Sequence, residues 1–98
     1  MDREDAIEVL RHHEHDLRAR GVQHVALFGS TVRNQAGPSS DVDILIELAP
    51  NAKLNVFDYV ELKQYIATLF PIRVDVVNRE GLKSHIRQPV AADAIYAF

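Results

Sequence analysis

Helices and strands alternate along this chain, which predicts an α/β (α+β) fold: a small sheet with helices packed on one face. Three observations carry that prediction. Apolar residues recur at helical spacing in residues 2–20 and 56–70. Residues 41–48 and 72–77 instead alternate apolar and polar, the period of a strand. Gly, Pro, Ser and Asn punctuate the joins, with no internal repeat, low-complexity tract or linker. The 98 residues are expected to form one domain, 1–98, with a single modest core.

In residues 2–20, Ile7, Leu10 and Leu17 sit near helical spacing, with Ala6 and Glu14 filling the series. Asp2 is the expected N-cap. Glu4 and Asp5 lie in the first turn, where the helix dipole favours negative charge, and Gly21 is the expected stop. Residues 24–28 read as a short apolar strand and residues 30–35 as a short helix, and 36–40, Ala-Gly-Pro-Ser-Ser, as a loop. In residues 41–48, Val42, Ile44, Ile46 and Leu48 point one way, and Asp41, Asp43, Leu45 and Glu47 the other. The second long helix, 56–70, shows an apolar stripe from Val56 and Tyr59 through Val60 and Leu62 to Ile66, Leu69 and Phe70, and Pro71 ends it. In the third strand, 72–77, Ile72, Val74 and Val76 oppose Arg73, Asp75 and Val77. Residues 81–97 read as mostly helical, kinked at Pro89.

Bulk properties exclude several function classes. A formal charge of −3 argues against direct binding to nucleic acid, which needs a basic face. There is no cysteine, so neither disulfides nor thiolate metal sites are available. No apolar run is long enough for a membrane span and the N-terminus has no signal core, so a cytoplasmic protein is expected.

The informative stretch is LFGSTVRNQAGPSSDVDILIEL, residues 27–48. Asp41 and Asp43 project from the same face of a strand, and adjacent carboxylates repel unless something neutralises them. A hard divalent cation, Mg²⁺ foremost, is the simplest neutraliser for oxygen ligands on a rigid strand. Asp75 repeats the pattern on the next strand. If the strands are neighbours, three carboxylates converge, enough for two metals in the arrangement used for phosphoryl or nucleotidyl displacement. Gly29 allows close approach to the backbone, and Ser30 caps the short helix. Its free amides form an anion corner that Arg33, one turn on, can reach. Each piece has a bland counterpart. A lone D-x-D is usually a strand-end pair facing water, Gly-Ser turns are common caps, Arg33 can be a solvated helix arginine, and Asp75 can pair with Arg73. The signal lies in the combination, in order and at suitable spacing.

That combination, G-S, ten residues, D-x-D, then a third Asp in IRVDVV, resembles the nucleotidyltransferase superfamily that includes DNA polymerase beta and kanamycin nucleotidyltransferase. Length and layout are similar to its smallest branch, the minimal nucleotidyltransferases (MNT), over nearly the whole chain, including the trailing REGLKSHIRQ. The resemblance implies a nucleotidyltransferase fold with a small mixed sheet. It implies Gly29, Ser30 and Arg33 as nucleotide-binding residues, and Asp41, Asp43 and Asp75 as catalytic ligands of two Mg²⁺ ions. Members often carry G-S-x-A-R-G; here Val32 and Asn34 replace the alanine and second glycine, which bears on loop geometry rather than on the carboxylates.

The activity so implied is transfer of AMP from ATP to a hydroxyl. The resemblance further implies an antitoxin, since minimal nucleotidyltransferases of this kind are commonly paired with a HEPN-domain RNase toxin and can transfer AMP to a tyrosine of that toxin. Two other readings stay open: an antitoxin that masks its toxin sterically, and a nucleotidyltransferase acting on a small molecule such as an antibiotic. Against the last stands the expected lack of a second, acceptor-holding domain. The apolar tail from Ala91 to Phe98 is expected either on its own core or on a second chain. Tyr59, Tyr65 and Tyr96 read as packing residues. His12, His13 and His15 invite a metal reading, but without a partner ligand a solvated helix face is expected; His24 and His85 have no assigned role. The basic residues from Arg79 to Arg87 read as a solvated surface or one facing a nucleotide or acidic partner.

Overall fold

The chain opens with two helices where the periodicity predicts one. In the computed structural model, which describes residues 2–29, 42–81 and 94–98, α1 spans Arg3–His12 and α2 spans Glu14–Ala19. Asp2 is the N-cap of α1, its carboxylate accepting from the Asp5 amide at 2.9 Å. The break has a local cause. The His13 ring takes the Val9 carbonyl at 2.9 Å, the acceptor its own amide would use, and that amide turns to Leu10 instead. Gly21 then stops α2 in a left-handed conformation, φ 101°, and a Cβ there would press on Ala52 at 3.2 Å.

The strands are β1, Val22–Leu27; β2, Val42–Leu48; β3, Val74–Asn78; and β4, Ile95–Tyr96. They form one mixed sheet in the order β3-β2-β1-β4. β1 lies antiparallel to β2 and to β4, while β2 and β3 run parallel. A parallel pair needs a crossover, supplied by α3, Val56–Thr68. A capping box opens α3: Asn55 accepts from the Asp58 amide at 2.8 Å and Asp58 accepts from the Asn55 amide at 3.3 Å. α3 stops short of the expected residue 70, with Leu69 as its C-cap and Pro71 beyond.

The β4 strand corrects the helical reading of residues 81–97 at its far end. A single 3₁₀ turn, Arg79–Gly81, follows β3, and residues 82–93 lie outside the described part, as does the short helix expected at 30–35. Ile95 and Tyr96 pair with Leu27 and Ala26, and Ala97 donates to the Val25 carbonyl at 2.8 Å. The open edge of β1 wins over helical periodicity because it satisfies backbone groups and lets Ile95 and Ala97 pack on the core together. Arg11 bonds the Ala97 carbonyl at 2.8 Å and fixes the tail. Of the two places expected for the tail, residues 95–98 take the one on the chain's own core.

That core lies between the helices and one sheet face. Val25, Leu27, Ile44 and Ile46 from the sheet meet Leu10, Leu17, Leu62 and Ile66 from the helices, all fully buried or nearly so. Each such side chain contributes about 1.5–3 kcal/mol by leaving water. The apolar stripe expected on α3 is only partly used: Val56 is 76% exposed and Val60 44%, and Phe57 beside them is 79% exposed.

Candidate active site

Alternation along β2 sends Val42, Ile44 and Ile46 into the core and Asp43, Leu45 and Glu47 to the opposite face. Leu45 is fully buried even so, as is its register partner Ala26, and neither belongs to the core cluster. The face opposite the helices is therefore buried at its centre and carries polar groups on either side of it. On one side, Asp43 is half-buried; on the other stands Glu47.

Asp43 and Asp75 are direct register partners on the parallel pair β2 and β3. Neighbouring strands lie about 4.8 Å apart, so two carboxylates on one face in register are within reach of a single cation. Asp75 is exposed, since β3 is the sheet edge and Val76, next to it, turns to the core. Asp43 has an interaction within the chain, and it lies beside the turn after β1. The Phe28 amide donates to the Asp43 carbonyl at 3.1 Å, extending the ladder past Leu27. Gly29 follows at φ 65°, and a Cβ on it would stand 2.8 Å from Asp43 Oδ2. The glycine thus does more than admit a ligand to the backbone: it leaves the space in which the Asp43 carboxylate sits.

Of the six expected site residues, the structure brings Gly29, Asp43 and Asp75 together; Ser30, Arg33 and Asp41 lie outside the described residues. Two hard carboxylate oxygen donors in register on one sheet face have the chemistry that suits Mg²⁺. Among the described residues no group of three or more His, Cys, Asp or Glu gathers, and Asp41 lies outside them. The α1–α2 histidines stand elsewhere: His12 and His15 are exposed, and His13 is engaged with Val9.

In the polar group beyond Leu45 the sequence reading gave Glu47 and His24 no role, took Tyr96 as a packing residue and placed Arg79 on a basic surface. The Tyr96 hydroxyl donates to Glu47 at 2.6 Å, and Arg79 approaches the other Glu47 oxygen at 3.9 Å. His24, the register partner of Glu47, stacks edge-on against Tyr96 and shares a proton with the Phe98 carbonyl at 3.3 Å. Burial and the negative Glu47 push the Tyr96 hydroxyl up to about 12, with Arg79 opposing. Tyr96 is therefore a protonated donor that pins β4 across β1 to β2. Position of Glu47 on the polar face of β2 was the available signal; its partner could not be foreseen while residue 96 read as helix.

Comparisons with known proteins identify the family. Residues 10–96 match the family model described as nucleotidyltransferase domain. Protein adenylyltransferase MntA of Thermococcus cleftensis is 37% identical over 94 residues, 95% of this chain and 93% of that protein. A solved structure assigned as a minimal nucleotidyltransferase superposes with a TM-score of 0.71 at 30% identity, covering 97% of this chain and 95% of the other. The same fold appears in the complex of a tri-AMPylated Shewanella oneidensis HEPN toxin with MNT antitoxin, with a TM-score of 0.63, 22% identity and coverage of 94% and 71%. The fold and the match over nearly all of the sequence lead to one conclusion: this chain belongs to the nucleotidyltransferase domain family, and its class of chemistry is nucleotidyl transfer.

Proposed function

We propose that this chain is an ATP-dependent protein adenylyltransferase of the MNT branch, working as a single domain, 1–98, in the cytoplasm. Its acceptor is a hydroxyl, a tyrosine foremost, on a HEPN-domain toxin that it silences as an antitoxin. The observation that carries this reading is the registration of Asp43 with Asp75 beside Gly29. The relatives named protein adenylyltransferase and the toxin complex with AMP on the toxin support the choice of nucleotide and acceptor.

Asp43 and Asp75, with Asp41, would hold Mg²⁺, which when bound neutralises charge developing on the transferring phosphoryl group. The chain's own residues do the rest. The amides and hydroxyl at Gly29 and Ser30 hold the triphosphate, and Arg33 adds a cation to its far end. Gly29 keeps the Asp43 carboxylate in place by lacking a Cβ. Asp75, exposed at the sheet edge, meets the incoming hydroxyl and takes its proton. The acceptor oxygen bonds to the α-phosphorus, the bond from α-phosphorus to the β-bridging oxygen breaks, and pyrophosphate leaves.

The test uses α-labelled ATP and Mg²⁺ with the full chain and its HEPN-domain partner. Label on the partner, lost in Asp43→Asn and in Asp75→Asn, is the expected result. Undiminished labelling by both variants would overturn the site. A tight complex without label would support steric masking, and label on a small alcohol alone would support a small-molecule enzyme.

A further inference from the structure

We propose that Tyr96 is itself an AMP acceptor: a second copy of this chain transfers AMP from ATP to its hydroxyl, Glu47 takes the proton and Arg79 receives the phosphate. The inference rests on the adenylyltransferase reading and adds to it a modification site on the enzyme.

The polar group beyond Leu45 holds the parts such a step needs. Tyr96 is 38% exposed, and its hydroxyl donates to Glu47 at 2.6 Å. Burial and Glu47 push that hydroxyl up to about 12, so near neutral pH it keeps its proton and needs a base in contact when it attacks. Glu47 already stands in that place. Arg79 is poorly served by comparison. Its Nη1 approaches Glu47 only to 3.9 Å and Glu80 to 3.7 Å, and among the described residues its buried Nε finds no hydrogen-bond partner. A phosphodiester on Tyr96 would bring anionic oxygens to this under-used guanidinium. His24, Glu47, Tyr96 and Phe98 line an open cleft of about 480 Å³. It has room for a nucleoside, and His24 and Phe98 offer rings on which a base can stack.

Tyr65 is the internal comparison. It too donates to a carboxylate, Asp16, but at 3.3 Å, and its arginine, Arg20, is spent on the ring face at 3.9 Å. Tyr65 is also half-buried.

The sheet determines where the AMP comes from. Glu47 lies about 13 Å along β2 from Asp43, so the chain's own carboxylates stand too far from the hydroxyl that Glu47 holds. β4 is one edge of the sheet and β3, with Asp75 exposed on it, is the other, so the β4 edge of one copy can meet the β3 edge of the next. The Tyr96 oxygen bonds to the α-phosphorus of ATP on that second copy. The bond from α-phosphorus to the β-bridging oxygen breaks, pyrophosphate leaves, and the hydroxyl proton passes to Glu47. The donor that pins β4 to β2 is lost in the same step.

The test incubates the full chain by itself with α-labelled ATP and Mg²⁺ and locates the label by peptide mass mapping. AMP on Tyr96 is expected, at an initial rate that rises with the square of chain concentration. Tyr96→Phe should lose this label yet still label the HEPN-domain partner, which shows that it folds. Glu47→Gln keeps an acceptor for the hydroxyl but lacks the basic carboxylate. It should slow self-labelling by about a hundredfold and leave labelling of the partner near the wild-type rate. In a mixture of Asp43→Asn and Tyr96→Phe, label should appear on the Asp43→Asn chain. Label on Tyr59 or Tyr65 in place of Tyr96 would overturn the proposal. So would a rate linear in chain concentration, or a chain that labels its partner and never itself. A chain that labels neither overturns the adenylyltransferase reading, a separate and recognisable outcome.

Discussion

Asp43 and Ile44 are adjacent in sequence and live in opposite worlds. Ile44 is fully buried in a cluster to which α1, α2 and α3 and the strands β1, β2 and β3 contribute. Asp43 stands half-buried on the other face, in register with Asp75 and a Cβ's breadth from Gly29. The core face is redundant: many side chains share the work, and losing one lowers stability by a share. The opposite face is not: its proposed chemistry depends on a few oxygen atoms at fixed places. Mutations on the two sides of one strand should therefore fail in different ways.

The largest separation is expected from exchanging carboxylate for amide. Asp43→Asn or Asp75→Asn should lower AMP transfer by about a thousandfold, since charge stabilisation of the transition state is lost. Thermal unfolding should leave the melting temperature unchanged or slightly higher, because two like charges in register no longer repel. A large drop in melting temperature would show that Asp43 holds the fold together and would break the contrast. On the other face, Ile44→Ala should cost about 2–5 kcal/mol in urea unfolding. The protein that remains folded should transfer AMP at close to the wild-type rate. A variant of normal stability would mean the core closes around the gap.

Much of this contrast was legible before any coordinates. Alternation placed Asp43 and Ile44 on opposite faces, and the period-two pattern of residues 72–77 put Asp75 on the face of Asp43. These are local properties of an extended chain, so a local pattern suffices. What was not legible depended on competition between distant or subtle partners. The break at His13 arises because a ring competes with a backbone amide for the Val9 carbonyl, and nothing in apolar spacing reports that. The strand at Ile95 and Tyr96 forms because β1 presents an open edge from the far end of the sequence, a choice that helical periodicity cannot see. The exposure of Val56 and Val60 shows the reverse error, a stripe long enough for more core than the sheet provides. Gly29 was singled out for its freedom to admit a ligand; the Asp43 carboxylate lying 2.8 Å from where its Cβ would be needs three dimensions to be seen.

Gly29 offers a way to sharpen the comparison, because it belongs to neither face and touches one. Gly29→Ala introduces a left-handed non-glycine residue and a contact of 2.8 Å with Asp43 Oδ2, so the carboxylate has to move. The strain should cost about 1–2 kcal/mol of stability. Activity should fall by more than that loss implies, on the order of a hundredfold, because a displaced carboxylate weakens the transition state as well. Mg²⁺ titration should show a higher midpoint for the variant. Equal midpoints would mean that Gly29 serves only the turn.

The smallest effect should come from Tyr96, which sits on the same face as Asp43 yet serves the fold. Tyr96→Phe removes the donor to Glu47 and should cost about 1 kcal/mol, with AMP transfer little changed. Its pH dependence is the diagnostic part. The Tyr96 hydroxyl is pushed up to about 12 in the folded chain against about 10 unfolded, first by burial and then by Glu47. The folded state thus holds its proton more tightly. The stability gained from that proton is complete below pH ~10 and fades as pH climbs toward ~12. Urea unfolding of wild type and Tyr96→Phe at stepped pH should show the stability gap between them closing across that window. A gap that stays constant across that window would mean that folding does not hold the Tyr96 proton more tightly, and that the bond to Glu47 is not what the hydroxyl contributes.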